Sequence, residues 1–197
     1  MEGGPLVRHV LADGTSAVLL MNCYILTGGK SQRMGRSKTA IFLDRVAAAA
    51  RPVFDDVIAV ERAAGTAHDD VRTIFEDPHE HEAPVFGVVR ALEHAQGRCF
   101  ILAVDYPLIT SDVLRFLHDR AALAEWNGKM QLLCAVWGAA LLPRIEQRIA
   151  EGRLDLHGLI EQEIITEAEL RRRFGGEPLM NVNTPEELEA AERSYGR

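Results

Sequence analysis

The amino-acid sequence predicts a single three-layer α/β/α domain on a mostly parallel sheet, and three observations carry that expectation. Strand-type and helix-type periods alternate along most of the chain. The run Cys99-Phe100-Ile101-Leu102-Ala103-Val104 is apolar throughout, as a central strand covered on both faces requires. No internal repeat, low-complexity tract or Pro/Gly/Ser linker divides the 197 residues, and 47% hydrophobic content suffices for a well-buried core.

The elements follow in order. Residues 1–21 contain Gly3-Gly4 and a short apolar patch, without the basic start and continuous apolar run of a secretory signal. They read as an appendage or a consequence of start-codon choice, with the domain itself spanning 22–197. Asn22 to Leu26 is the first expected strand, and Thr39 to Ala50 the first helix. Asp56 to Val60 reads as a second strand, ended by charge and by Gly65, and Arg72 to Phe75 as a short third. From Pro84 to Ala95, apolar Val85, Val88, Val89 and Leu92 recur at the helical period. The apolar run 99–104 is the central strand. A helix over Ser111 to Leu123, a strand over Gln131 to Trp137 and a helix over Leu141 to Ala150 complete a repeated βα order. Near the C-terminus, Thr184 as N-cap, Pro185 as first helical residue and Glu187 three positions after the threonine mark a helix start.

Composition narrows the function. A formal net charge of −7 argues against nonspecific nucleic-acid binding, which relies on broad positive surface. The longest apolar runs fall far short of the roughly 20 residues that span a bilayer, so no membrane segment is expected. Cys23, Cys99 and Cys134 are an odd count, have no CxxC spacing and sit inside apolar runs. They read as reduced core residues of a cytoplasmic protein.

Against that acidic background, Leu26-Thr27-Gly28-Gly29-Lys30-Ser31-Gln32-Arg33-Met34-Gly35-Arg36-Ser37-Lys38 holds three glycines and four cations without a carboxylate. Glycines let a backbone turn tightly near a ligand, and successive free N–H groups attract anions, so a phosphate ester is the expected ligand. A surface turn with solvated cations is the alternative. Gly29-Lys30-Ser31 imitates the end of a P-loop, but the required first glycine falls on Tyr24, inside the expected strand. A G-x-G-x-x-G fingerprint fails too, because Gly28 and Gly29 are adjacent.

Three further segments hold candidates. Asp105, after the central strand and followed by Tyr106-Pro107, is placed to bind a hard divalent cation through oxygen. Its bland alternative is a helix cap, although Thr110 and Ser111 already supply caps for the next helix. The H-x-H and carboxylates of Glu76-Asp77-Pro78-His79-Glu80-His81-Glu82 read as solvated surface rather than a transition-metal site. Asn181-Val182-Asn183 precedes the C-terminal helix start, where asparagine needs only a turn to explain it.

The glycine segment closely resembles the L-x-G-G-x-S-x-R-M-G-x-x-K signature of nucleotidyltransferases of the molybdenum cofactor guanylyltransferase type. Leu26, Gly28, Gly29, Ser31, Arg33, Met34, Gly35 and Lys38 fill every fixed position. The resemblance runs from about Asn22 to Glu192 and implies a Rossmann-like nucleotidyltransferase fold. It implies that the backbone around Leu26, Thr27, Gly28 and Gly29 holds the nucleotide while Arg33 and Lys38 neutralise its triphosphate. Asp105 and Asn183 would bind Mg²⁺, Asp77 would reach the guanine nucleotide, and Pro84 and Gly87 would line the acceptor side with Asn183. The implied reaction transfers GMP from GTP to the terminal phosphate of molybdenum-molybdopterin and releases pyrophosphate. Cofactor insertion and acceptor proteins would be its partners.

Four departures are local. Ala83 replaces the first glycine of a G-P-x-x-G element, Ser37 a usual acid, and Leu132 a usual proline, and a G-K-P-L segment before the first long helix is absent. They touch the acceptor side and leave the glycine loop whole. Gly28-Gly29 favours guanine within this resemblance. The rival readings are a cytidylyltransferase for the same pterin, a sugar-phosphate nucleotidyltransferase, or a nucleotide-binding regulator without turnover.

Overall fold

The computed structural model describes residues 21–27, 38–62, 67–182 and, beyond these, 184, 186, 187, 189, 190 and 193. Strand β1 (Cys23–Leu26) is followed by helix α1 (Lys38–Ala50), β2 (Val57–Glu61), β3 (Arg72–Phe75), α2 (Pro84–Ala95) and β4 (Arg98–Ala103). Then come α3 (Ser111–Arg120), β5 (Leu123–Trp126), β6 (Lys129–Met130), β7 (Cys134–Gly138), α4 (Leu142–Ala150), β8 (Ile164–Ile165) and α5 (Glu167–Phe174). Five strands form the main sheet in the order β3-β2-β1-β4-β7. Its first four are mutually parallel, and β7 runs antiparallel to β4.

Both faces of this sheet are covered, which is why its central strands are apolar without alternation. Cys23 and Ile25 of β1, with Phe100 and Leu102 of β4, join the core under α1, α3 and α5. Tyr24, Leu26, Cys99 and Ile101 point the other way, into the core under α2 and α4. Tyr24 is fully buried, and its hydroxyl finds a partner 2.7 Å away in His94 Nδ1 of α2. The three-layer α/β/α architecture expected from the alternating periods is thus present. No described helix is long and apolar enough to cross a membrane.

Two expectations needed correction. The helix expected over Ser111 to Leu123 stops at Arg120: Ala121 turns left-handed at φ 45°, and Leu123 and Ala124 pair with Ile164 and Ile165 as strands. Helix-forming residues there yield to tertiary pairing. The strand expected over Gln131 to Trp137 begins at Cys134 and is antiparallel, because a hairpin intervenes. Asn127 and Gly128, at φ 50° and 68°, make the tight turn between β5 and β6. The small β6-β5-β8 sheet and α5 follow no pattern noted in the sequence. Thr184 does cap its helix, its hydroxyl oxygen accepting from the Glu187 amide at 3.1 Å, while Pro185 lies outside the described residues. Residues 1–20 also lie outside, and Met21 is buried against the core.

Burial raises the Cys99 thiol to about 12 and moves Cys23 and Cys134 upward as well. The folded protein should therefore give no reaction with Ellman's reagent at pH 8, and all three thiols should react once guanidinium unfolds it. A thiol titrating in the native state would contradict this packing.

Candidate active site

The chain leaves β1 toward β2 and β3 and returns through α2 to β4, on the opposite side of β1. Neighbouring parallel strands whose connections diverge leave a crevice beyond their carboxyl ends, the preferred ligand position in such sheets. Here those ends are Leu26 and Ala103, paired in register. The Val104 amide donates to the Leu26 carbonyl at 3.2 Å, so Thr27 and Val104 continue the two strands beyond the pair, with Asp105 the next residue.

Thr27 is pinned at the start of the glycine loop. Its amide donates to Val60 O at 3.1 Å, and its hydroxyl lies 2.8 Å from both Val60 O and Glu61 Oε2. Glu61 also meets His68 Nε2 at 3.1 Å. Gly28, Gly29 and Arg33 lie outside the described residues, as do all of 28–37. Lys38 is described only as the first residue of α1. The loop therefore connects a strand's carboxyl end to a helix amino end, and the first turn of that helix has no acid. Such an end favours an anion.

On the other side of the crevice, Tyr106 and Pro107 are buried and hold the turn after β4. The Tyr106 hydroxyl donates to Gln131 Oε1 at 2.7 Å, and burial pushes its ionisation upward. Asp105 stays partly exposed. Its carbonyl accepts from the Val182 amide at 3.1 Å, and its Oδ2 lies 3.5 Å from Asn181 Nδ2. The C-terminal segment is thereby drawn to the strand end. Asn183 lies outside the described residues; the described asparagine near Asp105 is Asn181 of the same N-V-N triplet, which the sequence had not singled out. Thr110 caps α3, accepting from the Val113 amide.

The third wall is α2 with the end of β3. Pro84 opens the helix, and Gly87 in its first turn faces Leu26 and Glu76. Glu76 is buried, whereas Asp77 and Pro78 are exposed. His79 Nε2 meets Glu76 Oε2 at 2.8 Å, and the His79 ring stacks on Phe86 with centroids 3.8 Å apart. Burial raises the Glu76 carboxyl above the usual glutamate range, and the His79 hydrogen bond offsets this only in part. The expectation that the whole acid and histidine stretch is solvated surface therefore fails at Glu76 and His79, because Phe86 and the sheet end cover them. It holds at Asp77, Glu80 and His81, which are exposed.

Among the described residues no group of three His, Cys, Asp or Glu side chains is assembled to cage a metal. One carboxylate beside an amide is a hard-oxygen donor set of the kind that suits Mg²⁺, which is commonly held by one or two carboxylates together with substrate phosphates.

An added Cβ at Gly87 would stand 2.9 Å from Glu76 Oε1 and 3.2 Å from Leu26 Cδ2. Since Glu76 is held by His79, Gly87→Ala should cost about 1–3 kcal/mol in chemical denaturation. An unchanged midpoint would mean that the wall yields freely.

Comparison with known proteins agrees with this geometry. A family model describing a MobA-like NTP transferase domain matches residues 23–167. The chain is 29% identical over 177 residues to a probable molybdenum cofactor guanylyltransferase of Aquifex aeolicus, covering 84% of this chain and 87% of the relative. It is 29% identical over 189 residues to a molybdenum cofactor guanylyltransferase of Desulfosudis oleivorans, covering 85% and 92%. Among solved structures, molybdopterin-guanine dinucleotide biosynthesis protein A from Archaeoglobus fulgidus superposes with a TM-score of 0.72 at 22% identity, covering 89% of this chain and 99% of the other. With the family match spanning most of the domain, this chain belongs to the MobA-like NTP transferases, a family of nucleotidyltransferase enzymes of molybdenum cofactor biosynthesis.

Proposed function

We propose that this protein transfers GMP from GTP to the terminal phosphate of molybdenum-molybdopterin, forming the guanine dinucleotide cofactor and pyrophosphate. The observation that carries the reading is that Thr27, where the glycine segment begins, and Asp105, the residue after Val104, follow the carboxyl ends of the neighbouring parallel strands β1 and β4. The relatives' names and the complete signature from Leu26 to Lys38 support it.

The chemistry follows from charge. An oxygen of the pterin's terminal phosphate forms a bond to the α-phosphorus of GTP as the bond from that phosphorus to the β-phosphate bridging oxygen breaks, and pyrophosphate leaves. Both reactants are anions, so positioning and electrostatic stabilisation supply most of the catalysis. Arg33 and Lys38 provide positive charge over the triphosphate, and the backbone from Leu26 through Gly29 holds the nucleotide. Asp77 accepts hydrogen bonds from the nucleoside. Pro84, Gly87 and Asn183 line the acceptor side. Asp105, with Asn183 and with Asn181, whose Nδ2 lies 3.5 Å from Asp105 Oδ2, would hold Mg²⁺, which when bound neutralises phosphate charge and orients the phosphates in line. The attacking phosphate is already ionised at neutral pH, so no side-chain nucleophile is required. The buried thiols fit a reducing, cytoplasmic setting, in which cofactor insertion and acceptor proteins would take the product.

With Mg²⁺ and the molybdenum pterin, GTP should release pyrophosphate in preference to CTP, ATP or UTP, and EDTA should stop the reaction. Preference for CTP would overturn the base assignment, and binding without turnover would favour a regulator. Asp105→Ala should lower kcat by about 10²–10³-fold, as loss of a charge-stabilising group does. Full activity of that variant would remove Asp105 from the mechanism.

A further inference from the structure

The reaction leaves Glu76, His79 and Phe86 without a task, although Glu76 and His79 are the least exposed residues of an otherwise exposed acidic stretch. We propose that these three side chains form a clasp that positions Asp77 at the mouth of the nucleotide cleft. The inference rests on the reading of Asp77 as a nucleoside contact.

The geometry is that of a short turn tied at both ends. Asp77 and Pro78 are exposed between Glu76, whose side chain is 8% exposed, and His79, at 14%. The 2.8 Å contact from His79 Nε2 to Glu76 Oε2 closes the turn across three residues. Pro78 restricts Asp77 to extended backbone as well. The 3.8 Å stack of His79 on Phe86, with planes 15° apart, fastens the turn to the first turn of α2, which also carries Pro84 and Gly87. Gly87 in turn leaves the space that Glu76 Oε1 occupies.

Two features cost stability where the turn serves only as a connection. Glu76 is a carboxylate taken out of water, and His79 Nδ1 is buried with no hydrogen-bond partner. Polar groups held at such a cost concentrate where a neighbour must be kept in one geometry. The exposed carboxylate between them is that neighbour. A preorganised acceptor binds nucleoside N–H or O–H donors without first losing its own freedom. Glu76, His79 and Phe86 are therefore positioning residues that act through Asp77.

Calorimetric titration with GTP and Mg²⁺ tests this in a cycle. His79→Ala and Phe86→Leu are each made in the wild-type and the Asp77→Ala backgrounds. Either change should weaken GTP binding about tenfold when Asp77 is present, and less than about twofold when it is absent. Equal losses in both backgrounds would show a merely structural role and overturn the inference, as would no loss in either. Phe86→Leu keeps the Glu76–His79 bond, so it decides the matter if His79→Ala fails to fold. GTP binding that Asp77→Ala leaves unchanged sinks the clasp alone. A folded wild-type protein that binds no GTP sinks the guanylyltransferase reading and the clasp with it.

Discussion

The parallel ladder between β1 and β4 sets Leu26 against Ala103 and continues from the Val104 amide to the Leu26 carbonyl, so both chains leave the sheet at the same height. The rest of the site hangs from that pairing. Thr27 can be held by Val60 and Glu61 only because β2 lies on the far side of β1 in register, Leu26 against Val60. Asp105 reaches the crevice only because β4 lies on the near side. Displacing β4 by one residue would turn Ile101 and Leu102 to the wrong cores and shift Asp105 from its place beyond the strand end.

The two cores serve this pairing unequally. The one under α1, α3 and α5 packs the side of the sheet from which α1 leaves the glycine loop, and buries Val182 beside Tyr106 and Val104. That burial brings the C-terminal segment to Asp105. The other core places α2 against β1 through Leu26 and Tyr24, and so brings Gly87 and the Glu76 turn to the same edge. A site assembled from four strand ends, one helix and a C-terminal segment is thus held by packing on both faces.

Charge adds a second constraint. The protein carries −7 overall, yet its glycine loop carries four cations and no acid. A local cluster of positive charge in an acidic chain favours specific over diffuse attraction of anions. Two carboxylates near the crevice are engaged by neighbouring side chains: Glu61 by Thr27 and His68, Glu76 by His79.

Much of this was legible without coordinates. Apolar runs identified β1, β2 and β4 because strands covered on both faces must be apolar, and α2 showed its helical period because one of its faces is wet. The Thr110 and Thr184 caps were readable because a cap is a local hydrogen bond. So was the resemblance in the glycine loop, which lies in contiguous residues. Other signals were local but faint: Asn127-Gly128 marked a hairpin, and Thr166 with Glu169 capped an α5 holding too few apolar residues to show a period.

What the sequence determined by itself was the set of elements whose residues are neighbours along the chain, together with the family they resemble. Only the tertiary structure decided that Leu123 and Ala124 leave α3 for a strand, that β7 turns antiparallel, that Asn181 stands at Asp105, and that Glu76 is buried and His79 partly so. Each of these depends on a partner distant in sequence: Ile164 for Leu123, Leu102 for Cys134, Asp105 for Asn181, Phe86 and Gly87 for the Glu76 turn. Pairing and burial across such separations depend on three-dimensional packing, and no local propensity encodes them.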